Sequence, residues 1–211
     1  MSIVVVVFLG PLIWTIDPTH VEIRARNKSP SFSYPFGTDQ LGRDMLARMM
    51  AGGRVSISVG LTAMALAITL GSSVGLLAGY FRKLDWPLMR LTEIFQSLPL
   101  LPLLLVMVTL FREPLAGAFG PEKGTFILIV GAIGVTSWMA TARIVRGSVL
   151  ALKEREFVLA ARSIGTTDFK MILRHILPNV ISPIMVSATL GIAAAIITES
   201  ALSFLGLGFP P

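Results

Sequence analysis

Cysteine is absent from the sequence, which excludes a disulfide framework and a thiolate metal centre. Charge is scarce as well. Only 14% of the 211 residues are Asp, Glu, Lys or Arg, against roughly 25% in soluble globular domains, so an ordinary soluble domain is excluded. No Gly-x-x-x-x-Gly-Lys-Ser/Thr stretch occurs, and without that loop the chain has no P-loop cradle for nucleotide phosphates. Any energy from ATP must arrive through a partner. Segments of about ten alternating residues, the mark of a membrane β-barrel strand, are missing too. The first 16 residues lack the basic start and small-residue cleavage site of a secretory signal. They read as a first span whose natural start lies upstream.

What the sequence does have is long uncharged apolar stretches and a mean hydropathy of +0.77. Between Arg54 and Arg82 lie 27 uncharged residues, with further uncharged runs of 18 at 94–111, 19 at 124–142 and 24 at 175–198. The last three fall within the roughly 17 to 25 residues that a transmembrane helix needs, and the first is long enough to cross with tilt. With the shorter, Pro11-containing run at 1–16, the pattern predicts an all-α polytopic helix bundle of about five spans. The 18 basic residues and 12 acidic ones leave a net charge of +6. They sit in the connections 17–54, 82–93, 112–123 and 143–174, so anionic lipid headgroups fit the charge better than nucleic acid. Lys and Arg number six, three, two and seven in those connections. Alternate connections share a side, and the positive-inside rule narrowly places 82–93 and 143–174 in the cytoplasm.

Local signals refine the picture. In "FGTDQLGRDMLARMMAGGRVS", Thr38 is placed to cap a helix, Asp39 and Arg43 form an i,i+4 pair, and Leu41, Met45 and Met49 share a side. An amphipathic helix lying on the membrane and ending at Gly52-Gly53 is expected. Gly71, Gly75 and Gly79 recur every four residues, a face that lets another helix approach closely. Pro99 and Pro102 are expected to bend the span that contains them. The Gly-x-Ser-x-Gly pattern at 71–75, with His175, raises a hydrolase, but that elbow needs a strand-turn-helix context. Glycine packing explains it more simply. An independent transporter or channel would carry ionisable residues at mid-depth. None lies there, and Glu199, at the end of its span, reads as interfacial.

The charged insert before the last run is the most informative stretch. In "EREFVLAARSIG", Phe157, Ala160, Ala161 and Ile164 fall at i, i+3, i+4 and i+7, giving one apolar stripe. Gly165 suits the position after a helix end, and Thr166 or Thr167 with Asp168 restarts a helix. The Leu177-Pro178 step biases the chain away from the helical region where the last span begins. The pattern is helix, sharp turn, helix.

Ala160-Ala161, Gly165 and Leu177-Pro178 resemble the "EAA" loop of permease subunits of ATP-binding-cassette importers. "FGTDQLGRDMLAR", "AGGRVSISVG", "VGLLAGYF", "RHILPNVISPI" and "ESALSFLGLGFPP" extend the resemblance over 32–211, to the second permease subunit of the dipeptide, oligopeptide and nickel branch. The resemblance implies the type-1 importer transmembrane fold, normally of six spans. It implies a first span plus periplasmic segment at 1–53, and a transmembrane domain at 54–211 with a cytoplasmic ATPase-coupling loop at 143–174. Phe157, Ala160, Ala161, Gly165, Asp168, Leu177 and Pro178 are the expected coupling residues; Gly71, Gly75 and Gly79 are the packing residues. Implied partners are two cytoplasmic ATP-binding subunits, a second permease and a periplasmic substrate-binding protein, in the inner membrane. The chain would be no enzyme, with no catalytic residue, metal or cofactor of its own and ATP held by its partners. Peptides are the expected cargo; nickel or another small solute is the alternative. Leu159 stands where the family has glutamate, and the sequence ends at Pro211 where the family continues through one more span.

Overall fold

The computed structural model describes residues 2–209; Met1 and the Pro210-Pro211 end of the last motif lie outside the described residues. In chain order the elements are α1 (Ser2–Ile13), a 3-10 turn (Ile23–Ala25), α2 (Met45–Tyr80), α3 (Arg82–Ser97), α4 (Leu100–Phe119), α5 (Pro121–Lys153), α6 (Glu156–Ser163), α7 (Asp168–Lys170), a π-helical turn (Met171–Ile176) and α8 (Leu177–Phe204). Among the described residues, four helices are long and apolar enough to cross a membrane: α2 with 36 residues, α4 with 20, α5 with 33, and the continuous rod Asp168–Phe204 with 37. At about 1.5 Å per residue, α4 just matches a hydrocarbon core of roughly 30 Å, and the other three overreach it. The fifth apolar helix, α1, has 12 residues.

The chain divides into two compact units, one ending at Ser58 and one of Val59–Phe209. In the first unit, residues 38–44 are not helical. The interfacial helix expected there is replaced by a loop held by an isolated Thr38–Asp44 bridge, and α2 starts only at Met45. Thr38 is no helix cap: its hydroxyl donates to the Ala25 carbonyl and accepts from the Lys28 amide. Asp44 does the capping, accepting from the Ala47 amide at 2.8 Å. The Asp39–Arg43 pair forms at 2.8 Å, across a turn instead of along a helix, and Arg48 joins it at 2.5 Å. Gly52-Gly53 does not end a helix either, since α2 runs straight through both. The Gly53 position faces Val7 so closely that a side chain there would collide with it; glycine is tolerated mid-helix where it admits a neighbour.

In the second unit α5 is the axis. Of its most apolar stretch 61% is buried, against 11% in α4, and it packs on α4, α8 and α3. Gly71, Gly75 and Gly79 of α2 lie against it: a Cβ at Gly71 would come 2.5 Å from the Trp138 carbonyl, at Gly75 2.5 Å from the Ala142 carbonyl, and at Gly79 2.7 Å from the Val149 Cβ. Pro99 and Pro102 do not bend a span. Leu98 and Pro99 are both extended, so the chain breaks between α3 and α4, because a residue preceding proline avoids the helical region. Pro102 then falls in the first turn of α4, where no amide partner is lost. The 82–93 connection is the first part of helix α3, and 112–123 contracts to one tight turn at Gly120, φ +84°. Glu199 is 4% exposed, not interfacial; it accepts a hydrogen bond from the Ser203 hydroxyl at 2.7 Å.

Candidate functional site

The α6 segment projects from the ends of α5 and the rod. Glu154 closes α5, Arg155 is extended, and its carbonyl accepts from the Val158 and Leu159 amides to open α6. Glu156 in the first turn and Arg162 in the last complement the helix dipole. The helix ends in a Schellman turn: the Gly165 amide donates to the Arg162 carbonyl at 3.0 Å and the Thr166 amide to the Ala161 carbonyl at 3.2 Å. Gly165 has φ +79° and nothing within 4 Å of a built Cβ, so only the left-handed backbone demands glycine there.

The two alanines part company. Ala161 turns inward with Val158, into a core of Tyr80, Val145, Val149, Met171, Ile176 and Val180. Ala160 faces out. So do Phe157, Leu159, Ile164 (84% exposed) and, beyond the turn, Phe169 (72%). The apolar stripe read from the sequence is therefore split: Phe157, Ala160 and Ile164 are presented outward while Ala161 packs at home. Leu159, where a carboxylate was expected, adds to the outward apolar surface.

The Leu177-Pro178 step does not leave the helix. Leu177 is helical, φ −53° and ψ −45°, and the preceding turn widens to a π-helix. That widening answers the proline, whose ring crowds the carbonyl four residues back and offers it no amide. The Asn179 side chain donates to the His175 carbonyl at 2.7 Å.

Polar contacts tie these helix ends together. Arg146 of α5 grips Asp85 of α3 through two hydrogen bonds, Nε to Oδ1 at 2.5 Å and Nη2 to Oδ2 at 2.7 Å. The Arg146 hydrogen bond holds the Asp85 carboxyl below its ordinary range. Lys153 Nζ donates to the Gly79 and Tyr80 carbonyls at 3.2 and 3.0 Å. The Tyr80 hydroxyl donates to Asp168 at 2.5 Å, so Asp168, expected as a helix start and as a coupling residue, also reaches α2. Tyr80, Lys153 and the Asp85–Arg146 pair were not singled out from the sequence, since their partners lie 61 to 88 residues away.

Deeper in the bundle lies a cavity of about 490 Å³. It opens at the α3–α4 break, with Phe95, Gln96 and Leu98 on one side, Thr136, Ser137 and Thr141 of α5 on another, and Ser187 and Leu190 of α8 closing it. The Thr141 and Ser187 hydroxyls are 2.9 Å apart. No Asp, Glu, Lys, Arg or His lines it.

A multi-span membrane bundle with a turn-capped helix exposed at one end, and a neutral cavity among its spans, is the architecture of a membrane permease component. Residues 67–211 match the family described as "Binding-protein-dependent transport system inner membrane component", and the chain belongs to that family. It is a multi-pass component of the inner membrane. A putative peptide transport system permease protein of Brucella suis biovar 1 (strain 1330) is 36% identical over 211 residues, 100% of this chain and 68% of the relative. The dipeptide transport system permease protein of Bacillus subtilis (strain 168) is 38% identical over 205 residues, 97% of this chain and 61% of its own length. For the oligopeptide transport system permease protein of the same strain the figures are 37% over 210 residues, 99% and 65%. The chain thus spans about two thirds of the length of these relatives.

Proposed function

We propose that the chain is a permease subunit of an ATP-driven importer and forms part of a path for di- and oligopeptides. The observation that carries the coupling is the α6 segment: a short helix closed by a left-handed glycine turn, with Phe157, Leu159, Ile164 and Phe169 outward and its other face fused to the span core. An exposed apolar cluster of this kind at a charged membrane edge suits a protein groove better than water. Two cytoplasmic ATP-binding subunits are its partners, since the chain has no P-loop; a second permease completes the path and a periplasmic binding protein delivers cargo. Ten Lys and Arg residues lie in the connections 82–93 and 143–174, against eight in 17–54 and 112–123, which supports the cytoplasmic placement of α6.

Peptide as cargo is supported by the names of the relatives and by the cavity. Hydroxyls and the Gln96 amide can hydrogen-bond a peptide backbone, and a lining without charge does not discriminate among side-chain charges. Ile164→Glu and Phe157→Glu place charge on the outward face and spare the core. Co-purified in detergent with the neighbouring ATPase, the wild-type chain retains it and both variants lose it at unchanged membrane insertion. Retention by both variants would overturn the docking face, and uptake of nickel but no peptide by the reconstituted system would overturn the cargo.

A further inference from the structure

We infer that Tyr80 is a positioning residue that latches both ends of the coupling segment to the end of α2; this rests on the coupling reading above. Two side chains, one from each end of the segment, converge on it. Lys153, just before the segment, donates to the Gly79 and Tyr80 carbonyls and stands 5.9 Å from the centre of the Tyr80 ring. Asp168, just after the segment, accepts from the Tyr80 hydroxyl at 2.5 Å. The ring is buried beside Val145, Val149, Val158 and Ala161.

Each contact suits its place. The last carbonyls of a helix lack amide partners and favour a cation, which Lys153 supplies. A phenol donating to a carboxylate is a charge-assisted bond. Without these ties, only the packing of Val158 and Ala161 would hold residues 154–167 between two non-helical joints, Arg155 and Thr166-Thr167, and a push on α6 could be absorbed as rotation there. With them, α2, α5 and the rod follow α6. The hydroxyl contributes to transmission, while the ring contributes to the core.

The test uses the complete importer in proteoliposomes: this chain, the second permease, the ATPases and the binding protein. Uptake of radiolabelled dialanine and ATP hydrolysis are read from the same vesicles. Tyr80→Phe keeps assembly and hydrolysis but lowers dialanine moved per ATP by roughly tenfold, the scale of one hydrogen bond to a charged group. Asp168→Asn, which still accepts, retains the wild-type ratio; Asp168→Ala matches Tyr80→Phe, and combining the two adds nothing. A second readout is independent of cargo. Because the sequence has no cysteine, spin labels at Ser163→Cys and Leu77→Cys report the α6–α2 distance alone. That distance holds through the nucleotide cycle in wild type and changes with nucleotide in Tyr80→Phe. An unchanged ratio and distance in Tyr80→Phe overturn the latch, as does a parallel loss of assembly and hydrolysis. A wild-type chain that retains no ATPase instead overturns the coupling reading and the latch with it.

Discussion

Pro11 removes the amide hydrogen that would pair with the Val7 carbonyl four residues back, and Arg54 replaces it. Its Nε donates to that carbonyl at 3.0 Å and its Nη2 to the Phe8 carbonyl at 2.8 Å. An arginine at the start of a long apolar run is thereby satisfied by backbone. Arg54→Ala should lower stability by about 1–3 kcal/mol, and less in a Pro11→Ala background, where Val7 regains its amide partner; melting in detergent measures both. Asp39 is a second such residue. Burial opposes its ionisation, but hydrogen bonds from the Arg43 amide and side chain and from Leu41 outweigh it, so its carboxyl lies well below the ordinary carboxylate range. A depressed value in the folded state means a contribution complete above about pH 4 and lost as pH falls through the folded value. Asp39→Asn should flatten the acid limb of the melting curve below about pH 4 and leave the limb above pH 6 parallel to wild type.

At the scale of elements, α2 and α5 meet through a glycine seam that has no slack. Lipid offers no hydrophobic drive to bring helices together, so close backbone contact must do it. Gly75→Val should push the helices apart, costing about 1–3 kcal/mol as overpacking does. Gly147→Ala, on α5 with nothing within 4 Å of a built Cβ, is the matched control and should melt at or slightly above wild type. Bend and break also exchange places along the chain: the proline at 99 separates two helices, whereas the proline at 178 is absorbed by a π turn. Neighbours decide this. Met171, Ile176 and Val180 are fully buried, and their packing holds the widened turn in line. Pro178→Ala restores an amide facing the Arg174 carbonyl, and hydrogen exchange across 171–176 should slow as the turn tightens to an α-helix.

For the molecule as a whole, the decisive quantity is which side of the membrane α6 occupies. The Asp85–Arg146 pair, the Lys153 cap and the Tyr80–Asp168 bond bring α3, α7 and the ends of α2 and α5 to one end of the bundle, with α6 lying in the chain between Lys153 and Asp168. The connections 82–93 and 143–174 hold ten of the 18 Lys and Arg residues. Single cysteines in the cysteine-free chain test it. Ser163→Cys should react with a membrane-impermeant maleimide only from the cytoplasmic side, and Glu122→Cys, at the Gly120 turn, only from the periplasmic side; the reverse pattern would place any ATPase out of reach of α6.

The sequence by itself determined that the chain is a bundle of membrane helices, because uncharged runs longer than a bilayer is thick leave no other stable state. Gly165 and the Schellman turn were legible for a similar reason: a left-handed backbone position accepts few residues. Gly71, Gly75 and Gly79 could be read as one face from spacing alone, though not as the face against α5. Tertiary structure alone decided that Ala161 points inward and Ala160 outward, since a stripe of period 3.6 does not say which neighbour it meets. It also decided that residues 38–44 are a loop, where four hydrogen bonds to Asp39 outcompete a helical turn, and that Glu199 is buried. Tyr80 lay beyond reach from sequence because its role depends on Lys153 and Asp168, and only the folding of three helix ends to one point brings their charges within hydrogen-bond distance.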